Sequence, residues 1–167
     1  MKTSLTQGEI QITKEYSMKK VSLETMQSHG ALLIPNVTYG FQNYDNQILE
    51  KSAEEYLQLL RQLTISCESA GFPAFADFYF ANLTPEQQDN IRKHLCPWQQ
   101  ARIQELGLIA GDIYFQIEGA DDPDLELLAD LTARELLFST FYFTKPVCTV
   151  WGNWELKYPV FYNTKKE

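Results

Sequence analysis

The chain has 167 residues, 44% of them hydrophobic and 22% charged, which is enough for one domain with its own core and too little for two large ones. Against 14 basic residues stand 22 acidic ones, giving a formal charge of -8 that no basic run offsets. Binding to duplex nucleic acid or to an anionic membrane surface is disfavoured by that field.

The first 20 residues hold no continuous apolar stretch, so neither a conventional secretory signal nor an ordinary membrane anchor is predicted there. Cytoplasmic residence is the default expectation, with export on a partner as the alternative. Residues 1–48 read as a polar arm and loop region, with a brief alternation at Ile10 and Ile12. Pro35, Gly40 and several asparagines predict a long ordered loop over 31–48, with a short strand at Leu32 to Ile34. Residues 49–167 read as a helical core with an aromatic C-terminal tail, the whole forming one domain.

Within that core, Ser52 and Glu55 have capping-box spacing, and Ala53, Tyr56, Leu57, Leu60 and Leu63 form one apolar helical stripe. Gly71 and Pro73 end this helix. The aromatic run FPAFADFYFA that follows is read as a short buried helix, with a strand as the alternative. Thr84, Pro85 and Gln87 fit the N-cap, first and third positions of another helix, which should stop near Leu95. Pro97 then opens a helix carrying Trp98, Ala101, Ile103 and Leu106, interrupted at Gly107. The apolar segment LIAGDIYFQI takes no assignment. Asp122 and Pro123 start a further helix, and Thr132 with Glu135 has capping-box spacing ahead of LLFSTFYF, a run that Pro146 closes. Gly152, Pro159 and dense aromatics predict an ordered, non-helical tail. The expected fold class is mainly α: a single compact helical domain with a long N-terminal loop.

Cys67, Cys96 and Cys148 are odd in number and widely spaced, which fits reduced structural cysteines better than a disulfide scaffold. Cys96 is the best reactive thiol, since a helix start at Pro97 would favour thiolate, and His94 lies close in sequence. A mixed metal site from His94, Cys96 and Cys148 would need a fourth ligand, so no metal site is predicted. Asp77 and Asp112 are acids in apolar segments and the one carboxylate pair worth inspecting for acid–base work. Glu118, Asp121, Asp122, Asp124 and Glu126 read as a solvated acidic face. Neither a phosphate-cradling glycine loop nor a dinucleotide fingerprint occurs, and no cofactor is assigned to this chain. Aromatics dominate the late sequence. Phe141, Tyr142, Trp151, Trp154 and Tyr158 either complete the core or form a partner surface.

The stretches YLQLLRQLT (56–64) and LTARELLFSTFYFTKP (131–146) resemble the helical small subunit of membrane-associated, flavin-dependent sugar and polyol dehydrogenases. Leu63 and Thr64 match its early motif, with Ile65 in place of the glycine. The resemblance implies an accessory subunit or assembly factor without catalytic residues, stabilising a large flavoprotein partner that holds FAD and oxidises a sugar or alcohol. Two other classes stay open beside it. One is a small cofactor-independent enzyme built on the Cys96 and His94 pair or the Asp77 and Asp112 pair. The other is a homomeric structural or scaffold protein.

Overall fold

A computed structural model describes residues 18–165. The alternation at Ile10 and Ile12 lies outside the described residues. Among the described residues seven strands form one sheet: β1 (Lys19–Lys20), β2 (Tyr44–Glu50), β3 (Ala74–Asp77), β4 (Tyr114–Ile117), β5 (Phe141–Thr144), β6 (Val147–Val150) and β7 (Lys157–Lys165). Their order is β1-β4-β3-β5-β6-β7-β2, with every neighbouring pair antiparallel. Around it stand α1 (Leu23–Ser28), α2 (Val37–Asn43), α3 (Ala53–Ser69), α4 (Pro85–Arg92), α5 (Pro97–Glu105) and α6 (Pro123–Ala133). The protein is therefore a mixed α/β fold, and the expectation of a mainly α, all-helical domain is corrected.

The correction has a physical cause. Residues of β3, β5 and β6 are almost all buried, because both faces of the sheet are covered. On one face, Phe115, Ile117, Ala74, Ala76, Phe141, Phe143, Cys148, Val150, Tyr158 and Val160 meet Tyr56 and Leu60 of α3 and Leu125, Leu128 and Leu131 of α6. The opposite face is covered by the segment from Val21 to Tyr44, where Met26 packs on Phe75 and Tyr142, and Leu32 and Ile34 pack on Phe161. Strands buried on both sides read as unbroken apolar runs, without the period of two that marks a half-exposed strand.

Size complementarity fixes the middle of the sheet. Ala74 and Ala76 stand opposite Phe143 and Phe141 on one side and opposite Ile117 and Phe115 on the other. Alternating small and large side chains let one layer interdigitate with the next at interior density. Tyr56 of α3 then stacks on Tyr158 with ring centroids 3.8 Å apart and an interplanar angle of 4°, and meets Phe141 edge-on at 6.3 Å.

Helix starts follow local chemistry. Ser52 and Glu55 form the reciprocal box at α3, and Thr84 with Gln87 does the same at α4 behind Pro85. Asp122 caps α6, which opens with Pro123. Elsewhere the elements differ from expectation. The run beginning at Pro73 is the strand β3 followed by a short 3-10 turn at Phe80–Asn82. The region read as a loop over 31–48 carries α2 and most of β2, while Leu32 to Ile34 form no strand. Thr132 lies inside α6 rather than at a new cap, and the aromatic run after it is β5, joined to β6 by the turn at Lys145 and Pro146. LIAGDIYFQI ends in β4. Strands from both sides of residue 48 share the one sheet, and β2 itself spans that point.

Two loops meet closely beyond α6. A Cβ built on Gly152 would lie 2.6 Å from the backbone oxygen of Ser139 and 3.0 Å from Cβ of Phe138. Gly152→Ala must move backbone, so a loss of about 1–3 kcal/mol is expected in urea unfolding. Unchanged stability would show that the two loops are free to separate.

Candidate functional site

The turn between α4 and α5 places His94 and Cys96 on the surface, with buried Leu95 as the anchor between them. Cys96 is the N-cap of α5, and its N–H donates to Gln99 Oε1 at 3.2 Å. Gln99 Nε2 in turn donates to Asp130 Oδ2 of α6 at 2.7 Å. The same carboxylate oxygen takes Arg134 Nη1 at 3.0 Å, and Arg134 Nη2 donates to the backbone oxygen of His94 at 2.6 Å. This closed set of bonds holds the turn against α6. Charge-assisted bonds of this kind are the stronger ones, so the turn is a built feature rather than a loose loop.

Between that turn, the start of α3 and the outer face of α6 lies a cleft of about 530 Å³. Leu57, Ala53, Ala129 and Ala133 supply its apolar surface, and Glu54, Glu126, Asp130 and Arg134 its polar groups. Trp98 lines it while remaining 41% exposed. Glu126, Ala129, Asp130, Ala133 and Arg134 follow the three-and-four spacing of one helical face, and the two alanines leave the room that makes the concavity.

His94 and Cys96 both line this cleft, so two sequence candidates converge there. His94 Nδ1, however, sits 2.8 Å from the backbone oxygen of Asn90, within its own helix turn. Among the described residues no hydrogen bond joins His94 to Cys96, so the thiol and imidazole do not form the contact that nucleophilic catalysis uses. Cys67 and Cys148 are buried, leaving Cys96 as the exposed thiol. Burial, with Cys67 nearby, pushes the Cys148 thiol up to about 12.

A strained corner includes residues close in sequence to two of those that line the cleft. Lys51, just before α3, donates its N–H to Leu156 O at 3.1 Å, and Glu135, just after Arg134, accepts the N–H of Glu155 on Oε2 at 2.7 Å. Glu135, Glu155 and Leu156 all have left-handed backbones, with φ of 62°, 62° and 59°. Such conformations cost free energy in non-glycine residues and gather at ligand clamps and switch regions. Trp154, 57% exposed, projects from this corner and meets Phe138 edge-on at 4.7 Å.

The carboxylate pair is not assembled. Asp112, exposed ahead of β4, pairs with Lys20 at 3.7 Å. Asp77 accepts the Thr140 N–H on Oδ1 at 2.8 Å and has no ion-pair partner among the described residues. Burial raises its carboxyl to about 7, against the stabilising Thr140 bonds. Tyr79, Tyr114 and Tyr142 are themselves shifted upward by burial first and by the Asp77 charge second. The solvated acidic face is also corrected. Asp122 and Asp124 are buried, the first as the α6 cap and the second in an ion pair with Arg102, while Asp121 and Glu126 are exposed.

Of the aromatic surface candidates, Phe141, Tyr142 and Tyr158 are buried in the sheet and belong to the protein's own core. Trp151 is half-buried, edge-on to Phe161 at 6.4 Å. Only Trp154 of the five is exposed. Trp98, missed as a contact residue, is the other open tryptophan. A second concavity of about 450 Å³ lies between Phe80, Arg92, Leu95 and Ile103, with Arg92 held 5.3 Å over the Phe80 ring. Two of its three glutamines are turned to backbone: Gln88 donates to Phe80 O and Leu83 O, and Gln100 to Arg92 O and Leu95 O. Among the described residues no group of three or more His, Cys, Asp or Glu side chains is arranged to hold a metal ion, and no helix is long and apolar enough to cross a membrane.

No model of a known protein family, no curated protein and no solved structure matches this chain.

Proposed function

We propose that the protein is a noncatalytic accessory or assembly factor that binds a protein partner through the cleft between α3, α5 and α6. The observation that carries this reading is a largely apolar cleft lined by an open tryptophan, Trp98. An exposed tryptophan in a concave face suits a contact centre, because it supplies large area at low conformational cost. The partner gains stability by mass action, since a protein that binds only its folded form shifts the folding equilibrium towards it. A flavin-dependent dehydrogenase is the partner class that the sequence resemblance suggests. The helical fold that came with that resemblance is not the fold found, so the accessory role rests on the cleft instead.

The test uses the full chain, purified gently from its native cell, in wild-type and Trp98→Ala forms of equal thermal stability. A stoichiometric partner is expected with the wild type, lost or strongly reduced with Trp98→Ala, and it should slow alkylation of Cys96. Flavin absorbance in the complex would identify the partner as a flavoprotein. A complex indifferent to Trp98→Ala, with Cys96 alkylated at the free rate, would overturn the reading.

A further inference from the structure

We infer that the occupant of the Trp98 cleft is a cationic segment of the partner, one that inserts a lysine or arginine side chain between the Trp98 ring and the carboxylates of Glu54 and Glu126. This rests on the cleft being the docking site. The charges on its walls give the direction. Three carboxylates, Glu54, Glu126 and Asp130, face one guanidinium, Arg134. Arg134 is already engaged by Asp130 and by His94 O, so it offers little to an incoming anion. Asp130 is likewise occupied, by Arg134 and Gln99.

That leaves Glu54 and Glu126. Glu54 has no ion-pair partner among the described residues, and Glu126 meets Arg61 at a loose 3.5 Å. Glu54 also forms part of the adjoining concavity, whose other charged groups are Lys51 and Glu55. Glu55 is tied to the Ser52 N–H in the capping box. An excess of acid on the wall, set in a chain of net charge -8, repels phosphates and carboxylates and draws cations. Trp98 adds a face on which an ammonium or guanidinium is attracted by the ring quadrupole. A cleft of about 530 Å³ admits one or two long side chains rather than a whole helix, so the ligand is a side-chain anchor on an exposed segment.

Cys96 makes occupancy measurable, because it lines the cleft while Cys67 and Cys148 are buried. Three synthetic peptides of equal length, alternating alanine with arginine, glutamine or glutamate, are titrated against the rate of Cys96 alkylation. The arginine peptide is expected to protect Cys96 at concentrations on the order of tenfold lower than the glutamine peptide, with the glutamate peptide inactive. Protection should fade as salt is raised. It should also drop in a Glu54→Gln/Glu126→Gln double variant and persist in a Glu24→Gln/Glu86→Gln variant, which has the same net charge but changes exposed acids outside the cleft. Equal protection by arginine and glutamine peptides, or equal loss in both double variants, overturns the inference.

The natural complex separates the two failures. If it depends on Trp98 but ignores salt and the Glu54→Gln/Glu126→Gln change, the docking site stands and the cationic occupant is wrong. If it ignores Trp98 as well, both fall.

Discussion

Arg102→Ala is expected to cost about 3–5 kcal/mol of unfolding free energy, because it leaves a buried carboxylate without its counter-charge. Asp124, at the start of α6, is 0% exposed, and Arg102 of α5 holds it through Nε to Oδ1 at 3.0 Å and through Nη2 to Oδ1 and Oδ2 at 2.9 Å. The second carboxylate oxygen also accepts the Met18 N–H at 2.8 Å, so one buried group ties α5, α6 and the residue before β1 together. Glu105 adds a weaker, surface-side contact to Arg102 at 3.1 Å. Urea unfolding of Arg102→Ala beside Arg102→Ala/Asp124→Leu distinguishes the causes. The double variant should regain part of the loss, since no charge is then stranded in an apolar site. If the double variant is worse than the single one by the full cost of a second mutation, the pair contributes through packing alone.

Asp77→Asn is expected to raise stability by about 1–3 kcal/mol at pH 8 and to change little at pH 4. The sign follows from the folded carboxyl sitting near 7 while an unfolded aspartate titrates near 3.9. Below about pH 4 the group is protonated in both states and imposes no penalty. Between about 4 and 7 the unfolded chain gives up its proton and the folded one keeps it, so stability falls as pH rises, and the loss is complete above about 7. Asparagine imitates the protonated carboxyl and keeps an oxygen for the Thr140 N–H. Asp122, raised to about 6 by burial against the N–H groups of Asp124 and Glu118, slopes the same way and remains in the variant. Denaturation at several pH values should therefore show a shallower decline for Asp77→Asn. Parallel curves for the two proteins would remove Asp77 from the linkage.

What the sequence revealed and what it hid have the same origin in locality. Capping is settled within four residues, so Ser52 with Glu55, Thr84 with Gln87, and Asp122 before Pro123 announced three helix starts. The sheet is settled by residues far apart. Phe75 and Tyr142 are cross-strand partners on a face closed by Met26, and nothing in AFAD or FYFT alone displays that burial. The candidate site was legible in the same partial way. His94 and Cys96 stand out in the sequence as chemistry-bearing types, whereas Trp98 and Glu54 read as ordinary members of helices α5 and α3, with nothing local to mark them as cleft residues. A usable signal was present in α6: Glu126, Ala129, Asp130, Ala133 and Arg134 share a face that is small and charged rather than apolar. The depression could be read from that face, but its walls on α3 and α5 could not.

The order of the strands also sets the order of assembly. Among the described residues β2, formed near residue 50, pairs with β7 alone, and β7 begins more than about a hundred residues later in the chain. During synthesis β2 therefore leaves the ribosome with its pairing edge open and waits while α3, α4, α5 and α6 are made. Pairings so distant in sequence are closed late and at high entropic cost, and an uncovered strand edge invites contact with other chains meanwhile. α3, which starts three residues after β2 and carries its own capping box, can shelter the nascent chain's apolar stripe but not that edge. Newly made molecules thus pass through a stage in which β2 exists and the strand that joins it to the rest of the sheet does not.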